Sequence, residues 1–225
     1  MTLSVIVPTL NEADGLPGAL QRARRGGVLE IIVVDGGSRD ATRTLAASLA
    51  DLVITAPTGR AAQMNAGALR ARGDILLFLH ADTLLPDGFA EAVMSTCARP
   101  GVVGGRFDVE LDPATPLLHL TAALMNWRSR LTGIATGDQA IFVRRDVFAR
   151  LGGFKQIPLM EDIDMSRRLK RAGHVVCLRQ RVITSARRWH KNGVARTIAL
   201  MWALRLLYFL GVPPARLQRL YDNKR

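Results

Sequence analysis

Apolar residues in the first hundred positions come in short unbroken runs set between longer stretches of mixed polarity. The runs are LSVIVP from Leu3, LEIIVVD from Leu29, DLVIT from Asp51 and DILLFLH from Asp74. Such runs are too short for helices, and their lack of alternation points to strands covered on both faces. β-Branched residues dominate the first three. The stretches between and after them, roughly Asp14–Arg25, Asp40–Ala50, Gly59–Arg72 and Pro86–Ala98, have helical composition. Strands buried on both faces and joined by helices predict βαβ units and a parallel sheet. Gly73 is expected to cap the third helix, and Pro86 to lie in the first turn of the fourth.

Beyond Pro100 the pattern changes. VVGGRFDVEL from Val102 reads as a strand with a glycine-marked bend, and Pro116–Leu131 as a helix. DQAIFVRR from Asp138 is a further strand, EDIDMSRRLKRAG from Glu161 a helix closed by Gly173, and VVCLRQRVITS from Val175 one bent strand or two. No internal repeat or long linker breaks the chain. The simplest division is one domain over residues 1–190 and a helical tail over 191–225. Within that tail TIALMWALRLLYFLGV is apolar for 16 residues apart from Arg205. A membrane span needs about 20, so the segment is expected to pack on the core, form a homodimer seam or lie in a membrane interface. LLHLTAALMNW from Leu117 raises the same question and could offer an apolar acceptor surface.

Composition narrows the partners. A net charge of +12 in 225 residues implies acidic ones: nucleic acid, anionic lipid or phosphorylated small molecules. An aromatic content of 5%, together with carboxylates at strand ends, argues against a specific nucleic-acid site. Cys97 and Cys177 match no metal-ligand spacing and read as reduced core residues. The chain passes from Met1 straight into a strand, so a cytoplasmic location is expected, with the cytoplasmic face of a membrane as the alternative.

The candidate chemistry lies where the strands end. Strand one runs into Pro8-Thr9-Leu10-Asn11-Glu12, strand two into Asp35-Gly36-Gly37-Ser38-Arg39-Asp40, and strand four into His80-Ala81-Asp82-Thr83. Any one of these is also what a polar loop or a capped helix would show. In a parallel sheet, however, all three lie on one edge and can converge on one crevice, the usual ligand site of open α/β sheets. The chain has no G-x-x-x-x-G-K-[ST], no G-x-G-x-x-G after the first strand and no G-x-S-x-G elbow. These absences set aside a P-loop, a dinucleotide fold and an α/β-hydrolase.

Six ordered segments resemble the family-2 glycosyltransferases, which have the GT-A fold. They are SVIVPTLNEA (from Ser4), VVDGGSRDAT (Val33), GRAAQMNAGA (Gly59), LLFLHADT (Leu76), TGDQAIFVRRDVFARLGGF (Thr136) and LMEDIDMSRRLKRAG (Leu159). The resemblance covers about residues 3 to 190. Within the family the set is similar to a compact bacterial subgroup, some of whose members are associated with arsenosugar biosynthesis. The resemblance implies that Pro8, Thr9, Asn11, Glu12, Asp35 and Ser38 hold the nucleotide of a sugar donor, UDP being the usual one. Asp35 would accept from a base N–H and Glu12 from ribose hydroxyls. Arg60 would meet a phosphate or the base region, with Asn65 nearby, the alternative for both being a capped, solvent-facing helix start. The family's Asp-x-Asp metal motif stands here as His80-Ala81-Asp82. One carboxylate and the donor's phosphates suffice for Mg²⁺ or Mn²⁺, so Asp82 is the expected metal ligand. His80 is expected to hydrogen-bond the nucleotide or Asp82.

Glu161-Asp162 matches the family's Glu-Asp pair, with Asp162 the expected general base. A helix N-terminus favours ionised carboxylates, the form a base requires, and also explains the pair without any catalysis. Gly137-Asp138-Gln139 is expected to shape the sugar or acceptor pocket, and Gly104-Gly105 to let backbone approach the donor. Arg187-Arg188-Trp189 is similar to the end of a Gln-x-x-Arg-Trp motif, but Ser185 stands where Gln would be, which argues against processive polymerisation. Arg188 remains a candidate diphosphate ligand. The implied reaction is a single displacement with inversion, the sugar passing to a hydroxyl of a small or lipid-linked acceptor. Two alternatives stay open: a nucleotidyltransferase of related fold, and a non-catalytic binder of anionic lipid or nucleic acid.

Overall fold

A computed structural model describes residues 1–187 and 193–222. The first half alternates as the apolar runs require: β1 (Leu3–Thr9), α1 (Leu16–Arg25), β2 (Glu30–Asp35), α2 (Thr42–Leu49), β3 (Leu52–Thr55), α3 (Arg60–Arg70) and β4 (Ile75–Phe78). The order then becomes irregular: β5 (Thr83–Leu84), α4 (Phe89–Cys97), β6 (Val102–Asp112) and α5 (Pro116–Thr132), a 3₁₀ turn (Gly137–Gln139), β7 (Phe142–Arg144), α6 (Arg145–Arg150), α7 (Glu161–Ala172) and β8 (His174–Ser185). Two helices close the described chain, α8 (Val194–Phe209) and α9 (Pro214–Asp222).

Among the described residues the strands form one sheet in the order β3-β2-β1-β4-β7-β6-β8-β5. β1 pairs in parallel with β2 and β4, and β2 with β3, so the first four strands point one way. β7 runs antiparallel to both its neighbours, β4 and β6. Both faces are covered, and the pleat divides the strand residues between two cores. Val5, Val7, Ile31, Val33 and Leu77 face α1 and α4, where Leu20, Phe89 and Val93 meet them. Ile6, Ile32, Val34, Leu76 and Phe78 face Met64 of α3 and Met165 and Leu169 of α7. With apolar partners on both sides, an unbroken apolar strand is stable where an alternating one would bury polar groups.

Three local expectations are corrected. Pro86 does not begin α4. Thr83 and Leu84 pair with β8 instead, and the helix starts at Phe89 after Gly88 at φ +70°. Gly73 does not cap α3, whose cap is Ala71. A Cβ on Gly73 would lie 2.6 Å from Ser4 Oγ, so this glycine lets the chain re-enter the sheet against β1. The strand read from Asp138 shrinks to Phe142–Arg144, because Gly137–Gln139 is a 3₁₀ turn.

The tail is half embedded. Leu204 of α8 and Leu217 of α9 are buried with Ile134, Met160 and Ile163, beside the first turn of α7. Trp202, Leu206, Phe209 and Leu210 remain exposed. Among the described residues no helix is long and apolar enough to cross a membrane.

Candidate active site

Because β1, β2 and β4 are parallel, their carboxyl ends share one edge, and their loops are tied to each other there. Asp35 is fully buried at the end of β2. It accepts hydrogen bonds from Gly37 N (3.0 Å) and Ser38 N (3.0 Å) and from the Ser38 hydroxyl. Gly37 takes φ +99°, which favours glycine here. Asn11, itself at φ +54°, receives Arg39 N on Oδ1 at 2.8 Å and donates its own N–H to Ser38 Oγ at 2.9 Å. Thr9 is buried, and its carbonyl accepts from Gly36 N and from Gln63 Nε2. Asp35 thus builds the loop at the end of β2. Gln63 went unnoticed in the sequence, yet it ties the ends of β1 and β2 to α3 through Thr9 and Val34.

Below this loop Pro8, Leu79, His80, Gly137, Glu161 and Asp162 line one narrow pocket, with Phe78 and Phe154 on its apolar wall. Two backbone N–H groups hold Asp162: Gly137 N at 2.9 Å on Oδ2 and Ile163 N at 2.7 Å on Oδ1. His80 Nδ1 lies 3.2 Å from Asp138, a partner other than the nucleotide or Asp82. Its Nε2 abuts Gly137, where a Cβ would come within 2.5 Å. The Gly-Asp pair therefore fixes both sides of the imidazole and one oxygen of Asp162. Glu161 opens α7 and is buried. Burial and the charge of Asp162, offset by Arg60, push its pKa up to about 7. Arg60 opens α3, and the residue is solvent-accessible although its head lies among protein atoms. Desolvation there is outweighed by Glu161, Asp138 and Asp162, and its pKa is raised.

Asp82 is partly exposed; its Oδ1 lies 3.5 Å from Thr83 Oγ1. Ala81 and Asp82 pack over Gly15, whose Cβ would come within 3.1 Å of both. Arg187 reaches Glu12 at 2.8 Å and feels the charge of Asp82; the Glu12 hydrogen bond is the largest cause of its raised pKa. Among the described residues no three His, Cys, Asp or Glu side chains gather to hold an ion. One accessible carboxylate nevertheless suits a hard cation that takes its other ligands from phosphates and water.

At two expected donor contacts the structure shows protein partners. A Cβ on Gly105 would lie 2.3 Å from the Val176 carbonyl and 2.5 Å from the Phe142 ring, so β7 and β8 occupy the space it spares. Gly104 is likewise closed by Phe142 and Val143. Asn65 spends its amide on Phe154, donating to its carbonyl (2.8 Å) and accepting from its N–H (2.9 Å), and so anchors the pocket wall. Arg188 lies outside the described residues. A larger groove near Arg24, Arg25 and Ser48 sits at the carboxyl ends of α1 and α2, the sheet edge opposite the site.

Residues 4–152 match the model of the family described as Glycosyl transferase family 2. The chain belongs to that family. This glycosyltransferase is 30% identical over 161 residues to the undecaprenyl-phosphate 4-deoxy-4-formamido-L-arabinose transferase of Pseudomonas fluorescens (strain Pf0-1). The match covers 63% of this chain and 46% of the relative. The chain thus spans about half the length of such curated relatives. Among solved structures, S. aureus TarS 1–349 aligns with a TM-score of 0.64 at 15% identity, over 83% of this chain and 61% of that one. The mannosyltransferase PcManGT from Pyrobaculum calidifontis, in complex with GDP-Man and Mn²⁺, aligns with a TM-score of 0.63 at 24% identity, over 80% and 56%. At these identities the structural likeness establishes the GT-A fold alone.

Proposed function

We propose that this family-2 glycosyltransferase moves a sugar from a nucleoside-diphosphate donor to an acceptor hydroxyl in one displacement, with inversion at the sugar carbon. The observation that carries this reading is the position of Asp162. Two backbone N–H groups fix its carboxylate in a pocket whose other walls are the ends of β1 and β4. A carboxylate so fixed can take the acceptor's proton while the Asn11–Ser38 loops hold the nucleoside. The nucleotide side would comprise Pro8, Thr9, Asn11, Glu12 and Ser38, with Asp35 and Asn65 positioning it. Arg60 would bring positive charge toward the diphosphate.

Asp82 would hold a divalent ion, Mg²⁺ or Mn²⁺, whose chemistry is to neutralise charge on the departing diphosphate. His80, paired with Asp138, keeps the floor between the two halves in place. The bound ligands of the structural relatives favour this donor class: TarS is known in complex with UDP-GlcNAc and PcManGT with GDP-Man and Mn²⁺. The curated relative's name mentions undecaprenyl phosphate, in keeping with a lipid-linked acceptor.

Titration of UDP with Mn²⁺ into the purified chain tests the donor half. Binding that needs the metal and weakens about tenfold or more in Asp82→Ala is expected. Absence of any nucleotide binding would remove the reading. Pyrophosphate as the product, in place of a nucleoside diphosphate, would identify a nucleotidyltransferase instead.

A further inference from the structure

Two arginines beside Asp162 lack an acceptor. Arg128 of α5 places Nε and Nη2 inside the protein with no hydrogen-bond partner among the described residues. Arg205 is the one charge in the apolar body of α8 after Arg196, and no hydrogen bond or ion pair holds it among the described residues. The two helices pack on each other, which brings both heads to one side of the site. Burial, and then the charge of Arg205, push the Arg128 pKa down to about 10. Burial lowers that of Arg205 too, against the pull of Asp162 and Asp138. Asp162 lends them charge but no hydrogen bond: its oxygens accept two backbone N–H groups instead. Buried cationic donors left without a hydrogen-bond acceptor destabilise a fold. A pair of them is retained where a ligand brings the missing acceptor.

We propose that Arg128 and Arg205 form an anion subsite for the acceptor, which therefore carries a phosphate monoester besides the group that receives the sugar. Two planar donor forks match a dianion with three terminal oxygens, whereas a carboxylate satisfies only one fork. The subsite belongs to the acceptor because Leu204, next to Arg205, packs with Met160 and Ile163, which flank the Glu161–Asp162 pair. The donor loops and Asp82 have a cation of their own in Arg187. The identity of the acceptor rests on the glycosyl-transfer reading above; the anion subsite itself does not.

Inorganic phosphate titrated into the chain, with and without saturating UDP and Mg²⁺, tests the subsite. Wild type should bind phosphate in both states. Arg128→Gln and Arg205→Gln should each weaken that binding about tenfold or more while leaving UDP affinity within about twofold. Phosphate binding lost with UDP affinity intact supports the subsite even if no sugar is ever transferred. Phosphate affinity unchanged in both variants, or UDP affinity lost in equal measure, would overturn it. A short-chain phosphatidic acid kept monomeric distinguishes the sources. Binding tighter than phosphate assigns a lipid head group against the exposed face of α8, and equal binding assigns a small phosphorylated acceptor. In phosphate-free buffer Arg128→Met should melt no lower than wild type; a clear drop in Tm would mean that the guanidinium holds the fold and would contradict a ligand-binding role.

Discussion

Glu161 is a buried carboxylate whose pKa its surroundings push up. Its pKa of about 7 in the folded chain exceeds the ordinary value of 4.5, so the native state binds this proton more tightly than the unfolded state does. The stability linked to it is complete below pH 4.5 and is lost as pH rises toward 7. Glu161→Gln carries no such proton, and its stability relative to wild type should rise by about 1–3 kcal/mol between pH 5 and pH 8. Denaturant melts at the two values measure this, and a constant difference would refute the assignment. The sequence placed Glu161 and Asp162 correctly at a helix start. It could not reveal which of the two is buried, because that depends on Arg60, Ile163 and the tail closing over α7. His80 was likewise visible as the departure from Asp-x-Asp, but its partner Asp138 lies far along the chain and only the fold brings them together.

At the scale of elements, the 3₁₀ turn Gly137–Gln139 couples the two halves of the site. Its N–H holds Asp162 and its bare Cα leaves room for His80. Gly137→Ala should lower kcat by about tenfold or more while the fold melts normally, since a misplaced group costs rate steeply. Unchanged kcat would show that the imidazole is free to move. The Asn65 clamp on Phe154 is a second coupling. Asn65→Ala leaves two backbone groups unpaired, and a loss of about 1–3 kcal/mol is expected by denaturant unfolding. Strands and helices of the first half were legible from polarity because each strand is covered on both faces. The region from Asp82 to Arg145 was less so. There β5, the 3₁₀ turn and the shortened β7 are set by long-range pairing, and Gly104 and Gly105 serve strand packing.

Across the whole molecule, positive charge and exposed apolar surface coincide. Leu117, Leu120, Leu124, Trp127 and Leu131 repeat along one exposed stripe of α5, and Trp202, Leu206 and Phe209 are exposed on α8. α5 and α8 contain no acidic residue, while the exposed Arg130 and Arg196 lie on them. Such a surface suits an anionic bilayer. The chain should therefore sediment with anionic vesicles at low salt and be released as salt is raised; salt-independent binding would contradict an electrostatic contribution. The tail's inner contacts were not readable from a 16-residue apolar run, because the run is apolar all round and periodicity does not single out Leu204. Arg205 was readable as an interruption in that run, and a charge in such a place is itself a signal of function.

The account turns on Asp162 as the base of a nucleotide-sugar reaction. Release of nucleoside diphosphate from a panel of nucleotide sugars, in the presence of acceptor and Mn²⁺, measures it directly when wild type and Asp162→Asn are compared alongside their UDP affinities. The account predicts release by wild type, a fall of about 10²–10⁴ in rate for the variant, and UDP affinity retained. Equal rates for the two proteins would contradict it.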